Sequence, residues 1–246
     1  MIDHHLMTDL RKLKLGGFGE TLELRVAQAE ELSHLAFLTL MVRDEIERRE
    51  AKKLTARIQK ASFEEQKTLE EFDFAFNPKI KRGTITDLAT CLFIEKREHV
   101  LIYGSAGVGK THLAEALGHE ACRRGYRVLF VKAVKMLRHL FASRADQSWE
   151  RQIKKYLYPD LLIIDDFGLT ALTPIQAEDI YEIIAERHLR SSIIITSNRP
   201  PQDWVGLFPD PIMANSALDR LAHHAHHLMI DGGESYRKKL SPKTRQ

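Results

Sequence analysis

Only two cysteines, Cys91 and Cys122, occur in 246 residues. That is too few for a disulfide framework, so a reducing compartment is the expected setting and both thiols read as packing residues. Long apolar runs are missing as well: no stretch approaches the ~20 residues that cross a bilayer as a helix. The first residues, MIDHHLMTDL, lack the charged-then-apolar pattern of a secretion signal, and the expected location is cytoplasmic. There is no internal repeat, no long low-complexity segment and no strong overall charge, the formal net charge being +3. A balance that weak says little about partners, so the distribution of charge has to carry any such statement. What is left is an ordinary globular composition, 43% apolar, at a length that holds one α/β core and a small appendage.

Against that background one segment stands out. Gly104-Ser105-Ala106-Gly107-Val108-Gly109-Lys110-Thr111 is a complete G-x-x-x-x-G-K-[ST] phosphate loop. The apolar run His99–Tyr103 before it reads as a buried strand, and His112–Cys122 after it as a helix whose positive end faces the same anion. Glycines let the backbone double back, so that successive N–H groups point inward and cradle phosphates. Lys110 reaches the β and γ phosphates as a point charge, and the Thr111 hydroxyl is placed to ligate Mg2+. A Gly-rich turn without a ligand can match the bare pattern, but not readily between a strand and a helix. The expected ligand is ATP, bound by residues 104–111 with His112 at the helix start.

Leu161-Leu-Ile-Ile-Asp165-Asp166 is an apolar run ending in two carboxylates. A central parallel strand delivers such groups to its C-terminal edge, where ligands of α/β sheets gather. Asp165 is the natural acid on the magnesium side. Asp166, one residue on and facing the other way, is placed to polarise the attacking water. An Asp pair also caps helices and turns; beside a phosphate loop the nucleotide reading prevails. Asn198 closes a third apolar run, Ile193-Ile-Ile-Thr196-Ser197, where an amide can hold water and report the γ phosphate, or simply end the strand before Arg199-Pro200-Pro201. Arg220, in Leu218-Asp219-Arg220-Leu221, can serve phosphoryl charge in a neighbouring subunit or pair within its own chain.

Around these stations the chain divides into residues 1–70, helical and highly charged, a linker over 71–84, and an α/β domain over 85–246. Strands are expected at His99–Tyr103, Val128–Lys132, Leu161–Asp165, Ser192–Ser197 and His227–Ile230. Helices are expected at Thr111–Arg124, Val134–Ala142, Gln147–Tyr156, Pro174–Arg190 and Asn215–His224. Their regular alternation predicts a parallel sheet flanked by helices. In the first part Leu6, Leu10 and Leu13 space a short amphipathic helix, Gly16-Gly17-Phe18-Gly19 reads as a break, and Thr21 as the next cap. Leu32, Leu35, Leu38, Val42 and Ile46 form one helical stripe, either the buried face of a small bundle or a docking surface. In the linker Phe72, Phe74 and Phe76 are expected to anchor on the next domain, or Phe74 or Phe76 to wall the base. Between Cys122 and Lys155 ten basic residues stand against two acids, a local +8, whereas residues 1–70 sum to −1. A basic surface of this kind attracts phosphate backbones, unless it is merely solvated.

The segments GSAGVGKTHLAEALG, LLIIDDFG, IIITSNRP, ALDRLAHHAH and GESYR, in this order, closely resemble the IstB-like ATP-binding proteins of insertion sequences, AAA+ ATPases akin to bacterial helicase loaders. The resemblance covers Leu69 to Lys239 and extends into the N-terminal helices. It implies an AAA+ P-loop core behind a small all-helical N-terminal domain that contacts a partner, in a homo-oligomer whose nucleotide sites are completed between subunits. Residues 104–111 become Walker A, Asp165 and Asp166 Walker B, Asn198 the first sensor, Arg220 the arginine finger and Arg237 a candidate second sensor, although no complete helical lid follows it. Asp166 departs from the more frequent Asp-Glu pair, which implies slow turnover. In this clade an extra helix after the second strand lines a nucleic-acid surface; here that is Val134–Ala142, inside the basic stretch, and the DNA contacts implied are Lys132, Lys135, Arg138, Arg144, Lys154 and Lys155. His223-His224-Ala225-His226-His227 invites a metal, but the resemblance carries paired histidines here as ordinary sequence, so no metal is expected there. The function implied is ATP-dependent assembly on duplex target DNA to recruit or regulate a transposase. A replicative helicase loader acting on single strands is the alternative, and a nucleotide-gated scaffold with little turnover a third.

Overall fold

The structure is a computed structural model that describes residues 4–29, 32–74 and 80–230. Its helices in chain order are α1 (His4–Lys12), α2 (Gly16–Ala27), α3 (His34–Ala61), α4 (Arg82–Ala89), α5 (Leu92–Glu95), α6 (Lys110–Arg123), α7 (Ala133–Ala145), α8 (Trp149–Leu157), α9 (Pro174–Arg187) and α10 (Pro211–Ala222). Five strands, β1 (His99–Gly104), β2 (Val128–Lys132), β3 (Leu161–Phe167), β4 (Ser192–Ser197) and β5 (Ala225–Ile230), form one parallel sheet in the order β2-β3-β4-β1-β5. The described residues fall into two compact units, divided between Ala56 and Arg57 inside α3. No helix among them is long and apolar enough to cross a membrane.

The sheet forms where the sequence supplies Val, Leu and Ile without interruption. Val100–Ile102, Leu161–Ile164 and Ile193–Ile195 are all buried, as strands covered on both faces require. Helices α6, α7, α9 and α10 contribute Leu113, Leu117, Met136, Leu140, Ile180, Ile183 and Ala217 to the same interior. α9 starts with a capping box, Thr173 and Gln176 bonding reciprocally, and Pro174 in its first turn. Strand β3 runs two residues past the expected end at Asp165, and β5 begins at Ala225, so the histidine run is split between the end of α10 and an edge strand. Helices α4 and α5, and the 3-10 turn Pro201–Leu207 that buries Trp204, had no periodicity to announce them.

In the N-terminal unit the glycine run is not a break: Gly16 to Gly19 lie inside α2. They are there for close approach. A Cβ on Gly17 would sit 2.7 Å from the Glu45 backbone, and the Gly17 N–H instead donates to the buried Glu45 carboxylate at 2.5 Å. Thr21 does not cap either; its hydroxyl donates back to the Gly17 carbonyl. This fixes which face of α3 turns inward. Met41 packs with Leu10 and Leu22, with Phe37 alongside, whereas the expected stripe faces out, Leu35 being 75% and Ile46 55% exposed. The bundle reading of that stripe is therefore corrected: the inward face is the one with Met41, packed on Leu10 and Leu22, and Glu45, which accepts from Gly17 and Arg49.

At the other edge of the sheet from the phosphate loop, burial keeps His99 neutral. Its Nδ1 accepts the Ile193 N–H at 3.2 Å, and desolvation, reinforced by Arg187, His188 and His224, pulls its pKa from 6.5 down to about 4. A protonated His99 fits only the unfolded chain, so this site's contribution is complete above pH 6.5 and is lost as pH falls through 4. Stability measured by urea unfolding should drop by about 3 kcal/mol over that window from this group alone. His99→Gln, which keeps an acceptor for Ile193, should flatten that part of the profile. An unchanged slope would assign the acid sensitivity elsewhere. Arg187 is buried beside it and donates to the carbonyls of Tyr156, Pro159 and Ser192 at 2.6–3.0 Å, tying the loop after α8 to β4.

Candidate functional site

The C-terminal edges of β1, β3 and β4 converge on the loop between β1 and α6. Gly104, Gly107 and Gly109 have φ of 142°, 81° and 96°, backbone that other residues adopt only with strain. Gly104 has a second constraint, since a Cβ there would strike the Ile230 carbonyl at the end of β5. Ser105 and Ala106 are exposed and Val108 is buried as the loop's hydrophobic anchor. The cradle drawn from the sequence is therefore present as geometry.

Lys110 opens α6 and is buried. Its Nζ donates to the Gly104 carbonyl at 2.9 Å, the Ser105 carbonyl at 2.6 Å and Asn198 Oδ1 at 2.7 Å. Two residues 88 positions apart in the chain are thus joined directly across the loop. The Thr111 hydroxyl donates to Asp165 Oδ1 at 2.8 Å. Asp165 is 1% exposed, and its other oxygen, Oδ2, has no hydrogen-bond partner among the described residues. Burial raises the Asp165 pKa; hydrogen bonds from Thr196 and Thr111 oppose that, and the neighbouring Asp166 charge adds to it. Lys132, Asp165 and Asp166 share this edge, Lys132 lying opposite Asp165 in the β2–β3 register.

Thr196 was not singled out from the sequence. Its hydroxyl donates to Asp165 Oδ1 at 2.6 Å and accepts the Asp166 N–H at 2.9 Å. The β3–β4 register moves from Ile164 opposite Ile195 to Phe167 opposite Ser197, so that two residues of β3 face Thr196 alone. This is a bulge, and Asp166 takes a φ of 55° within it.

A strap over α6 was also missed. Residues 63–72 cross the helix: Phe63 stacks on His119 at 4.2 Å, and Glu115, 2% exposed, accepts the backbone N–H groups of Glu64 and Glu65. His112 bonds the Thr68 carbonyl at 3.0 Å, and Phe72 lies edge-on to His112 and 3.1 Å from where a Gly109 Cβ would be. Phe72 is thus an aromatic anchor on the phosphate loop. Phe74 sits edge-on to Phe72 and under the Arg82 guanidinium, while Phe76 lies outside the described residues.

The basic residues separate. Lys135 and Arg138 project from α7 on an exposed face shared with Val134 and Phe141, and Lys154 and Lys155 are exposed on α8. Lys132 pairs with Glu64 at 2.7 Å. Arg144 pairs with the fully buried Asp179 and covers the Trp149 ring, whose Nε1 donates to the same carboxylate at 2.8 Å. That knot joins α7, α8 and α9, a packing role for Arg144 that charge counting does not reveal. Arg220, on the last turn of α10, donates to the Ser216 carbonyl and hydroxyl and lies over Tyr181, away from the Lys110 cluster in its own chain. Arg237 lies outside the described residues. Of the histidine run, His226 pairs with Glu98 at 2.7 Å and His227 packs edge-on to Tyr103.

Comparison with known proteins bears on the family and the fold. The family described as IstB-like ATP binding protein matches residues 8–244. A protein of Mycobacterium tuberculosis, named for ATP binding in an insertion sequence, is 44% identical over 98% of this chain and 96% of its own length. Among solved structures, the DnaC helicase loader is similar at a TM-score of 0.50 and 26% identity, over 60% of this chain and 86% of that one. AMPPCP-bound DnaA from Aquifex aeolicus shares the fold at a TM-score of 0.59, over 73% of this chain and 54% of that one.

Proposed function

This chain belongs to the IstB-like ATP binding proteins and is an AAA+ ATPase, and on that premise we propose that it assembles on duplex target DNA in an ATP-dependent way and recruits or regulates a transposase during DNA transposition. The observation that carries the DNA part is the exposed face of α7, with Lys135 and Arg138, directly following the strand whose last residue, Lys132, lies opposite Asp165. A basic face one strand-end from the nucleotide site gives ATP a short route to DNA affinity.

The residues of the site fit Mg2+, because Asp165 presents a buried oxygen, without a partner among the described residues, on the carboxylate that the Thr111 hydroxyl bonds, and carboxylate and hydroxyl are hard oxygen donors of the kind that cation takes. When bound, Mg2+ would neutralise phosphate charge. Lys110 exchanges the carbonyls of Gly104 and Ser105 and the Asn198 amide for β and γ phosphate oxygens. Asn198, released, faces the water that attacks the γ phosphorus, and Asp166 orients that water. Arg220 leaves Ser216 and Tyr181 to serve the site of the next subunit in a homo-oligomer. Phosphate loss then undoes the assembly. The partner-contacting region is residues 1–70, with the exposed Leu35 and Ile46 face of α3 as its apolar surface.

Mass measurement of complexes on duplex and single-stranded DNA, with and without ATP, tests the reading. ATP-dependent multi-subunit assembly on duplex is expected. Preference for single strands would favour a helicase loader, the second reading, which the likeness to DnaC supports. Lys135→Ala with Arg138→Ala should weaken duplex binding and reduce the salt slope by about two, close to one per lost phosphate contact. Adding Lys132→Ala should change the slope further only if Lys132 leaves Glu64. An unaltered slope in the double variant would place the DNA elsewhere.

A further inference from the structure

We infer that Thr196 is a positioning residue for the nucleotide-bound cation: it aims the Asp165 carboxylate and holds the Asp166 backbone in its bulge. The inference rests on the reading that Thr111 and Asp165 hold Mg2+.

Three facts meet at one hydroxyl. It is fully buried. It spends its proton on Asp165 Oδ1, at 2.6 Å, the oxygen that also receives the Thr111 proton. Its lone pair takes the Asp166 N–H at 2.9 Å. A hydroxyl has one proton and can accept at its lone pairs, so the direction of this relay is fixed: Asp166 N–H to Thr196, Thr196 to Asp165. With Oδ1 occupied by two donors, the carboxylate cannot rotate without breaking one of them. Oδ2 is thereby left as the oxygen without a partner among the described residues, and it is the one that remains for a cation.

The second half of the relay acts on the backbone. Asp166 sits in the left-handed region, φ 55°, inside a two-against-one bulge. A non-glycine residue holds that conformation when something returns the strain, and here its N–H, which the irregular register withdraws from the ladder, is received by Thr196. Were the bulge to relax to a regular strand, Asp166 would return to the alternation of β3. One side chain thus holds both the Asp165 carboxylate and the backbone that carries Asp166. A serine meets both bonds as well, whereas valine has the same shape and can make neither.

The test compares Thr196→Val with Thr196→Ser, reading the Mg2+ concentration needed for tight binding of a fluorescent, non-hydrolysable ATP analogue, beside binding of the same analogue in EDTA. Thr196→Val should need about ten- to a hundredfold more Mg2+, the range seen when partners of metal ligands are removed, with unchanged affinity in EDTA; Thr196→Ser should stay within about threefold of the native protein. Equal Mg2+ dependence in Thr196→Val and native protein overturns the inference, as does equal loss in EDTA, which would mean a purely structural role. If Thr196→Val does not fold, Thr196→Ala against Thr196→Ser gives the same comparison of hydroxyl absent and hydroxyl present. Native protein whose nucleotide affinity ignores Mg2+ would instead overturn the cation reading itself.

Discussion

Lys110→Ala should lose ATP binding by about a hundredfold or more while leaving the fold intact. The ammonium makes charge-assisted bonds, each worth about 1.5–3 kcal/mol where water is scarce, and a loss near 3 kcal/mol corresponds to about two powers of ten in Kd. In the ligand-free geometry the same group holds the Gly104 and Ser105 carbonyls and Asn198 Oδ1. Removing it therefore frees two carbonyls on a loop whose Ser105 and Ala106 are exposed, and the Asn198 amide oxygen beside them, where water can replace it at little cost. Thermal unfolding should move by only a few degrees. Titration of a fluorescent ATP analogue reads the effect directly. Undiminished binding in a folded Lys110→Ala protein would remove the phosphate-loop assignment and with it the basis for every role given to Asp165, Asp166 and Asn198.

The arrangement of these groups was legible from the sequence because each lies at the end of an apolar run. Val100–Ile102, Leu161–Ile164 and Ile193–Ile195 can only be buried strands, and polar residues that directly follow such strands come to one edge of a parallel sheet. The motif then orders that edge. What was not legible depends on contacts that spacing does not encode. Gly16 to Gly19 read as a helix break, and only the Glu45 carboxylate shows them to be a close-packing surface. The α3 stripe of Leu35, Leu38, Val42 and Ile46 has the periodicity of a buried face, yet the helix turns the other face inward, where Met41 packs on Leu10 and Leu22 and Glu45 accepts the Gly17 N–H. Thr196 is one threonine in an apolar strand, and its role appears only once the bulge brings Asp166 over it. Arg144 contributed to the charge count that pointed to DNA, but in three dimensions it is committed to Asp179 and Trp149. Composition places charge along a chain; it does not say which charges are already satisfied.

Arg220→Ala should bind ATP with native affinity and hydrolyse it at least about a thousandfold more slowly, the lower end of what an arginine supplied to phosphoryl transfer contributes. The argument starts from where the side chain is. Within its chain it bonds Ser216, one turn back on α10, and lies over Tyr181 on α9. Those contacts include neither Lys110 nor Asp165, so the proposed role in hydrolysis is assigned to a second chain. That requirement has a consequence no intrachain role shares. Asp165→Ala subunits lack a working carboxylate but keep Arg220, and Arg220→Ala subunits have the reverse defect. Where head-to-tail contacts form at random in an equal mixture, roughly a quarter of the sites pair an intact Asp165 with an intact Arg220. Two inactive proteins should therefore recover part of the native rate on mixing, in proportion to the product of their fractions, and recovery should vanish on dilution below the assembly concentration. No recovery, with both variants folded and binding ATP, would return Arg220 to Ser216 and Tyr181 as a purely structural contact and would leave the phosphoryl charge to Lys110 and residues yet to be identified.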